Sequence, residues 1–218
     1  MHESVNSSLL LHLVTDRSLS QRRSLVEVVA EAVAGGVSCV QLREKSCSTR
    51  EFLQEALALK ALLQPLRVPL IINDRVDIAL AVGADGVHLG QSDMPIDHAR
   101  RLLGAGCLIG ISAESVDDAI EAEQQGADYI GISPVFSTPT KTDTAPALGL
   151  NGIRQIRKLV RIPLVGIGGI NQTNAKQVIA AGANGVAVVS AIMAAVVPQQ
   201  AAAALRDSLS CCNSTLYR

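Results

Sequence analysis

Two hydrophobic patterns alternate along the chain. One is a short run of largely apolar residues: Leu9–Val14, Cys39–Leu42, Leu70–Ile72, Gly86–Leu89, Leu108–Ile111, Tyr129–Ile132, Leu164–Ile167 and Gly185–Val189. Short apolar runs bounded by turn residues read as buried strands. The other pattern places apolar residues at three- and four-residue spacing, most clearly in Ser24–Ala34 and Thr49–Leu63. That spacing gives one apolar stripe on a helix. A further helical stretch, Asn171–Ala181, opens on an N-cap candidate, Asn171. Strands alternating with helices predict parallel strands joined by right-handed crossovers.

A weak internal repeat supports this order. A helix-like stretch ends in small residues and glycine, and a strand follows at once. The copies are Ala34-Gly35-Gly36 before Cys39, Gly83-Ala84-Asp85-Gly86 before Val87, Gly126-Ala127-Asp128 before Tyr129, and Gly182-Ala183-Asn184-Gly185 before Val186. Glycine suits the end of a helix, where the backbone turns into positive φ. The predicted fold is α/β: a single-domain (β/α)8 TIM barrel over residues 1–218, with 207–218 as a frayed polar tail. An open doubly wound sheet is the alternative. Strands that are all similarly apolar favour closure, and no Gly-x-Gly-x-x-Gly follows the first strand.

Composition narrows the function. Aromatic residues make up only 2% and tryptophan is absent, so the predicted core is aliphatic, as in parallel barrels. The chain also lacks the stacking platforms of a single-strand nucleic-acid binder. A net charge of −1 leaves no basic footprint. No apolar run has the length of a membrane span. The segment Met1–Asn6 carries Glu3 and neither lysine nor arginine, a poor signal-peptide start, so a cytoplasmic location is expected. Cys39, Cys47, Cys107, Cys211 and Cys212 are odd in number and lack metal-ligand spacing, which predicts reduced thiols.

Barrel chemistry sits where strands end. After the second strand come Gln41, Arg43 and Lys45, on one side by alternation. Such cations suit a phosphate, although a surface cluster with Glu44 would also hold them. Asn73-Asp74 follows the third strand and Asp93 the fourth. Two carboxylates beside a basic cluster suit Mg²⁺; each also stands where it would cap a helix. Ser112 ends the fifth strand. The sixth leads into a hydroxyl-bearing loop, Ser137-Thr138-Pro139-Thr140-Lys141. Gly168-Gly169 after the seventh strand and Val189-Ser190 after the eighth occupy this fold's usual phosphate site. His12, His88 and His98 have no partner at ligand spacing, so core or surface roles are the default. No nucleophile constellation stands out.

At these residues the chain resembles the thiamine phosphate synthase family. The likeness runs from about Leu11 to Ile192. Its motifs are Gln41-Leu42-Arg43-Glu44-Lys45, Asn73-Asp74, the Gly86–Asp93 run, Gly110-Ile111-Ser112-Ala113, Thr138-Pro139-Thr140-Lys141, Gly166–Ile170 and Val189–Ile192. The resemblance implies joining of a pyrimidine diphosphate to a thiazole phosphate by a dissociative, Mg²⁺-assisted reaction. It assigns Gln41, Leu42, Arg43, Glu44, Lys45, Asn73, Ser112 and Lys141 to the pyrimidine diphosphate. Arg43, Lys45, Ser112 and Lys141 are the catalytic members. It assigns Thr138, Pro139, Thr140, Gly169, Val189 and Ser190 to the thiazole phosphate, and Asp74 and Asp93 to Mg²⁺. It also suggests a homodimer, with small phosphorylated molecules and neither nucleic acid nor membrane as partners. The related thiazole tautomerase and a non-catalytic phosphate sensor are the competing readings. A full diphosphate-binding set favours the synthase.

Overall fold

The computed structural model describes residues 8–137 and 146–210. Its strands are β1 Leu11–Val14, β2 Cys39–Leu42, β3 Leu70–Asn73, β4 Gly86–Leu89, β5 Leu108–Ala113, β6 Tyr129–Ile132, β7 Leu164–Ile167 and β8 Gly185–Val188. They close in chain order into a parallel barrel, with β8 paired to β1. The helices are α1 Leu25–Ala34, α2 Thr49–Leu63, α3 Val76–Val82, α4 Ile96–Leu103, α5 Val116–Gln124, α6 Gly149–Leu159, α7 Ala175–Ala180, α8 Ser190–Met193 and α9 Pro198–Ser210. This is the predicted single-domain barrel.

Local chemistry explains the boundaries. Ser24 accepts from Glu27 N–H while the Glu27 carboxylate accepts from Ser24 N–H, and Ser48 and Glu51 do the same for α2. Each capping box is worth about 1 kcal/mol. Asn171 caps a turn instead of a helix: its Oδ1 accepts from the Thr173 amide and hydroxyl, and α7 starts only at Ala175. The expected frayed tail from 207 is shortened as well. Helix α9 continues to Ser210, with its own Leu209 buried in the outer core. Residues 211–218 lie outside the described residues.

Strand alternation makes two cores. Leu11, Leu13, Val40, Leu42, Leu70 and Ile72 point outward against the helices. Val14, Cys39, Ile71, Tyr129, Val165 and Ala187 fill the barrel itself. The expectation of an aliphatic core therefore holds for the outer layer apart from Phe52, while Tyr129, His12 and His88 are buried in the inner one.

The sequence repeat has a physical cause at the N-terminal end of the barrel. The residue just before each even-numbered strand clips the first residue of the preceding strand or, in β5, the second. Ser38 Oγ accepts from Leu11 N–H at 2.9 Å, Asp85 Oδ2 from Leu70 at 2.9 Å, Asp128 Oδ2 from Ile109 at 2.7 Å and Asn184 Oδ1 from Leu164 at 3.0 Å. The same residues' own amides donate back to Leu11, Leu70, Ile109 and Leu164. Helix-borne cations complete three of the clips: Lys60 on Asp85, Arg100 on Asp128 and Arg157 on Asn184. Gly36, Gly83, Gly126 and Gly182 all take positive φ, as their helix-ending positions predict.

Candidate active site

A cavity of about 680 Å³ opens at the C-terminal ends of the strands. His12, Val14 and Thr15 line it from β1, Gln41, Arg43 and Lys45 from β2, and Asn73 and Asp74 from β3. The ends of β4 to β8 and the segments after them close the circle, with Gly90 to Asp93, Ser112, Ser133, Gly168 to Asn171 and Val188 to Ala191. The predicted Gln41, Arg43, Lys45, Asn73, Asp74, Asp93, Ser112, Gly169, Val189 and Ser190 are thus brought together. Thr138, Pro139, Thr140 and Lys141 lie outside the described residues.

The end of β2 is pinned by Thr15, whose Oγ1 accepts from Arg43 N–H at 3.0 Å. Alternation then decides which neighbours face the cavity. Leu42 packs in the outer core. Glu44 turns away to Arg17, 3.2 Å from its Nε, and Arg17 also binds Glu55 at 2.8 Å. Neither Leu42 nor Glu44 lines the cavity. Glu44 engages Arg17 rather than Arg43 or Lys45, so the alternative of a surface cluster built on Glu44 does not describe those two cations. Burial pushes the Glu44 carboxyl up, with Arg17 opposing.

The two aspartates do not cap helices. No side chain caps α3 or α4. Asp74 follows β3 with φ +61°, a left-handed conformation that costs a non-glycine residue about 1 kcal/mol or more. Its amide donates to His88 O at 2.9 Å, and its carboxylate accepts from Lys45 Nζ. Asp93 Oδ2 accepts from Gly90 N–H at 2.6 Å. Burial raises the Asp93 carboxyl above the ordinary range, and the facing Asp74 carboxylate raises it further against the Gly90 bond. Two facing carboxylates with Lys45 beside them have the oxygen chemistry that a hard divalent cation takes. Among the described residues no group of three or more potential ligands gathers. One or two carboxylates are what Mg²⁺ takes when substrate oxygens and water complete its shell.

The floor holds side chains that the sequence reading set aside. His12 is fully buried, and burial first, then His88, lowers its pKa to about 3. His88 lies between Tyr129 and Ser112, with Nδ1 3.0 Å from the phenol and Nε2 2.9 Å from Ser112 Oγ. Gln91 Nε2 donates to Ser112 O at 2.7 Å. Register could have flagged this group: a polar residue at the inward position of β4 pairs with Asn73 on one side and Gly110 on the other. His98, by contrast, is an exposed partner of Asp97.

On the opposite wall Gly168 and Gly169 have φ +102° and +63°. Their lack of a side chain serves packing as well as conformation. A Cβ on Gly168 would stand 2.8 Å from Pro134 Cβ, and one on Gly169 would stand 2.9 Å from Phe136 Cβ. The two loops therefore lie against each other, tied by Phe136 N–H donating to Gly168 O at 3.0 Å. Asn174 Nδ2 holds Gly169 O at 2.9 Å. Val189 and Ser190, at the start of α8, complete this wall.

The chain is similar to known proteins over most of its length. The model of a family described as thiamine monophosphate synthase matches residues 11–192. The thiamine-phosphate synthase of Albidiferax ferrireducens is 56% identical over 206 residues, covering 94% of this chain and 94% of that protein. That of Syntrophomonas wolfei is 57% identical over 191 residues, 88% of this chain and 91% of the relative. The solved structure of a thiamine phosphate pyrophosphorylase from Pyrococcus furiosus superposes with a TM-score of 0.87 at 41% identity. It covers 94% of this chain and 98% of its own.

Proposed function

The chain belongs to the thiamine monophosphate synthase family, and we propose that its barrel mouth carries out the coupling that makes thiamine phosphate. Hydroxymethylpyrimidine diphosphate and hydroxyethylthiazole phosphate are joined, and diphosphate is released. The activity is that of a transferase in thiamine biosynthesis. The observation that carries the residue assignments is the convergence of Arg43, Lys45, Asp74 and Asp93 on one rim, across from the Gly168–Gly169 wall.

In this reading Gln41, Asn73 and Ser112 orient the pyrimidine diphosphate. Arg43 and Lys45, with Lys141, take its phosphate oxygens. Leu42 and Glu44 belong to the same segment, but their side chains face away, so they serve by fixing β2 and its backbone. Thr138, Pro139, Thr140, Gly169, Val189 and Ser190 hold the thiazole phosphate. Asp74 and Asp93 would hold Mg²⁺, which when bound offsets the charge of the diphosphate. The bond from the pyrimidine methylene carbon to the diphosphate oxygen breaks first, and the oxygen keeps the electron pair. The cations of β2 stabilise that leaving charge. The thiazole nitrogen then gives its lone pair to the methylene carbon, forming the thiazolium. No protein nucleophile takes part in this scheme.

A cytoplasmic location and a homodimer accompany this reading. No described helix is long and apolar enough to cross a membrane. The test is incubation with both substrates and Mg²⁺, following thiamine phosphate and diphosphate together. Equal formation of the two is expected. Binding of both substrates without turnover would overturn the reading.

A further inference from the structure

Tyr129 is fully enclosed in the barrel interior. Among the described residues its hydroxyl meets one hydrogen-bonding partner, His88 Nδ1 at 3.0 Å. A buried phenol with a single neighbour is satisfied by donating. Accepting would leave its own proton unpaired in an apolar interior. Donation requires the lone pair on Nδ1, which places the proton of a neutral imidazole on Nε2. That nitrogen lies 2.9 Å from Ser112 Oγ. Ser112 therefore accepts from His88, and its own proton points on into the cavity it lines.

The barrel makes room for this chain of groups. A Cβ on Gly110 would stand 2.1 Å from Tyr129 Cζ and 2.5 Å from its hydroxyl oxygen. A Cβ on Gly131 would stand 2.8 Å from His88 Cε1. Two inward positions thus lack side chains where the two rings pass, and the rings sit tilted with centroids 5.4 Å apart.

We propose that Tyr129 is a positioning residue: acting through His88, it makes the Ser112 hydroxyl a one-way hydrogen-bond donor that selects an acceptor atom, a ring nitrogen, on the pyrimidine substrate. This rests on the reading of Ser112 as a pyrimidine-binding residue. The order of protons in the free protein does not, so the two can fail separately.

Nitrogen-15 NMR of the histidine rings in the wild-type free protein tests the order directly. His88 protonated at Nε2 alone is the expected result. Protonation at Nδ1 alone, or at both nitrogens, overturns the proposal. A kinetic cycle tests the consequence. Tyr129→Phe should lower kcat/KM for the pyrimidine diphosphate by about three- to tenfold, the size of one hydrogen bond. The KM for the thiazole phosphate should not change. In a Ser112→Ala background the same substitution should cost nothing further, because its effect passes through Ser112. Equal losses in both backgrounds would mark Tyr129 as mere packing and overturn the proposal. Failure of the wild-type protein to couple the substrates, with His88 protonated at Nε2, would fall on the functional reading alone.

Discussion

The two ends of the barrel use polar side chains in opposite ways. At the N-terminal end Asp85, Asp128 and Asn184 each accept from a strand amide and a helix-borne cation. Each polar atom there closes a joint of the fold. At the C-terminal end Asp74 and Asp93 face each other, Asp74 sits in a left-handed backbone conformation, and Lys45 keeps 56% of its side chain exposed. That arrangement costs stability, which the Lys45–Asp74 ion pair and the Gly90–Asp93 bond offset in part. Stability and function therefore map onto opposite ends of the same strands, and substitutions can be sorted by which end they touch.

The largest expected effect is at the mouth. Asp93→Asn should lower kcat/KM by about 100-fold and move the Mg²⁺ titration to higher concentration. Its melting temperature should hold or rise, since a repelling carboxylate is gone. An unaltered Mg²⁺ titration would make the Gly90 bond the whole role of Asp93. Next comes the mirror-image change at the base. Asp128→Ala leaves Ile109 N–H without its acceptor and Arg100 without its ion pair, though Arg100 keeps the Cys107 carbonyl, and should cost about 2 kcal/mol in urea unfolding. Its kcat, KM and Mg²⁺ dependence should match the wild type. A catalytic loss there at full folding would break the division between the two ends.

Most of the fold was legible because parallel strands buried on both faces are continuous apolar runs, and each run met its strand within two residues at either end. The base was half legible. The repeat of small residues, glycine and an Asp or Asn stood in the chain, but its bonding to the preceding strand needs the barrel closed. At the mouth, polar residues ending strands gave Gln41, Arg43, Asn73, Asp74 and Ser112. The floor stayed hidden for a different reason. His12, His88 and Tyr129 lie inside strand runs and touch only through space, across neighbouring strands. Glu44 was misleading for the same reason: its orientation toward Arg17 depends on where the short 3-10 turn Arg17–Leu19 folds back after β1.

Between the two ends, His12 gives a smaller effect with a defined pH window. Its pKa is about 3 in the folded protein, against about 6.5 in an unfolded chain. Below about pH 6.5 the unfolded chain gains a proton that the folded protein refuses, so stability falls as pH drops, down to about pH 3. The loss attributable to His12 is about 1.4 kcal/mol by pH 5.5. His12→Gln should flatten the stability profile between pH 7 and 5.5 by that amount, measured by urea unfolding at each pH. A profile parallel to the wild type would mean that His12 becomes protonated without unfolding.

The smallest effect is expected one position from Arg43. Arg43 lines the cavity, while Glu44 turns its nearly buried carboxylate to Arg17. Glu44→Gln keeps an oxygen for Arg17 and removes a charge that burial disfavours. The lost ion pair and the relieved desolvation should nearly cancel, leaving stability within about 1 kcal/mol of wild type. Because the side chain faces away from the mouth, KM for the pyrimidine diphosphate should stay within about twofold. A large rise in that KM with stability intact would mean that the substrate draws Glu44 back to the cavity, and that the mouth reaches further round β2 than its side-chain directions imply.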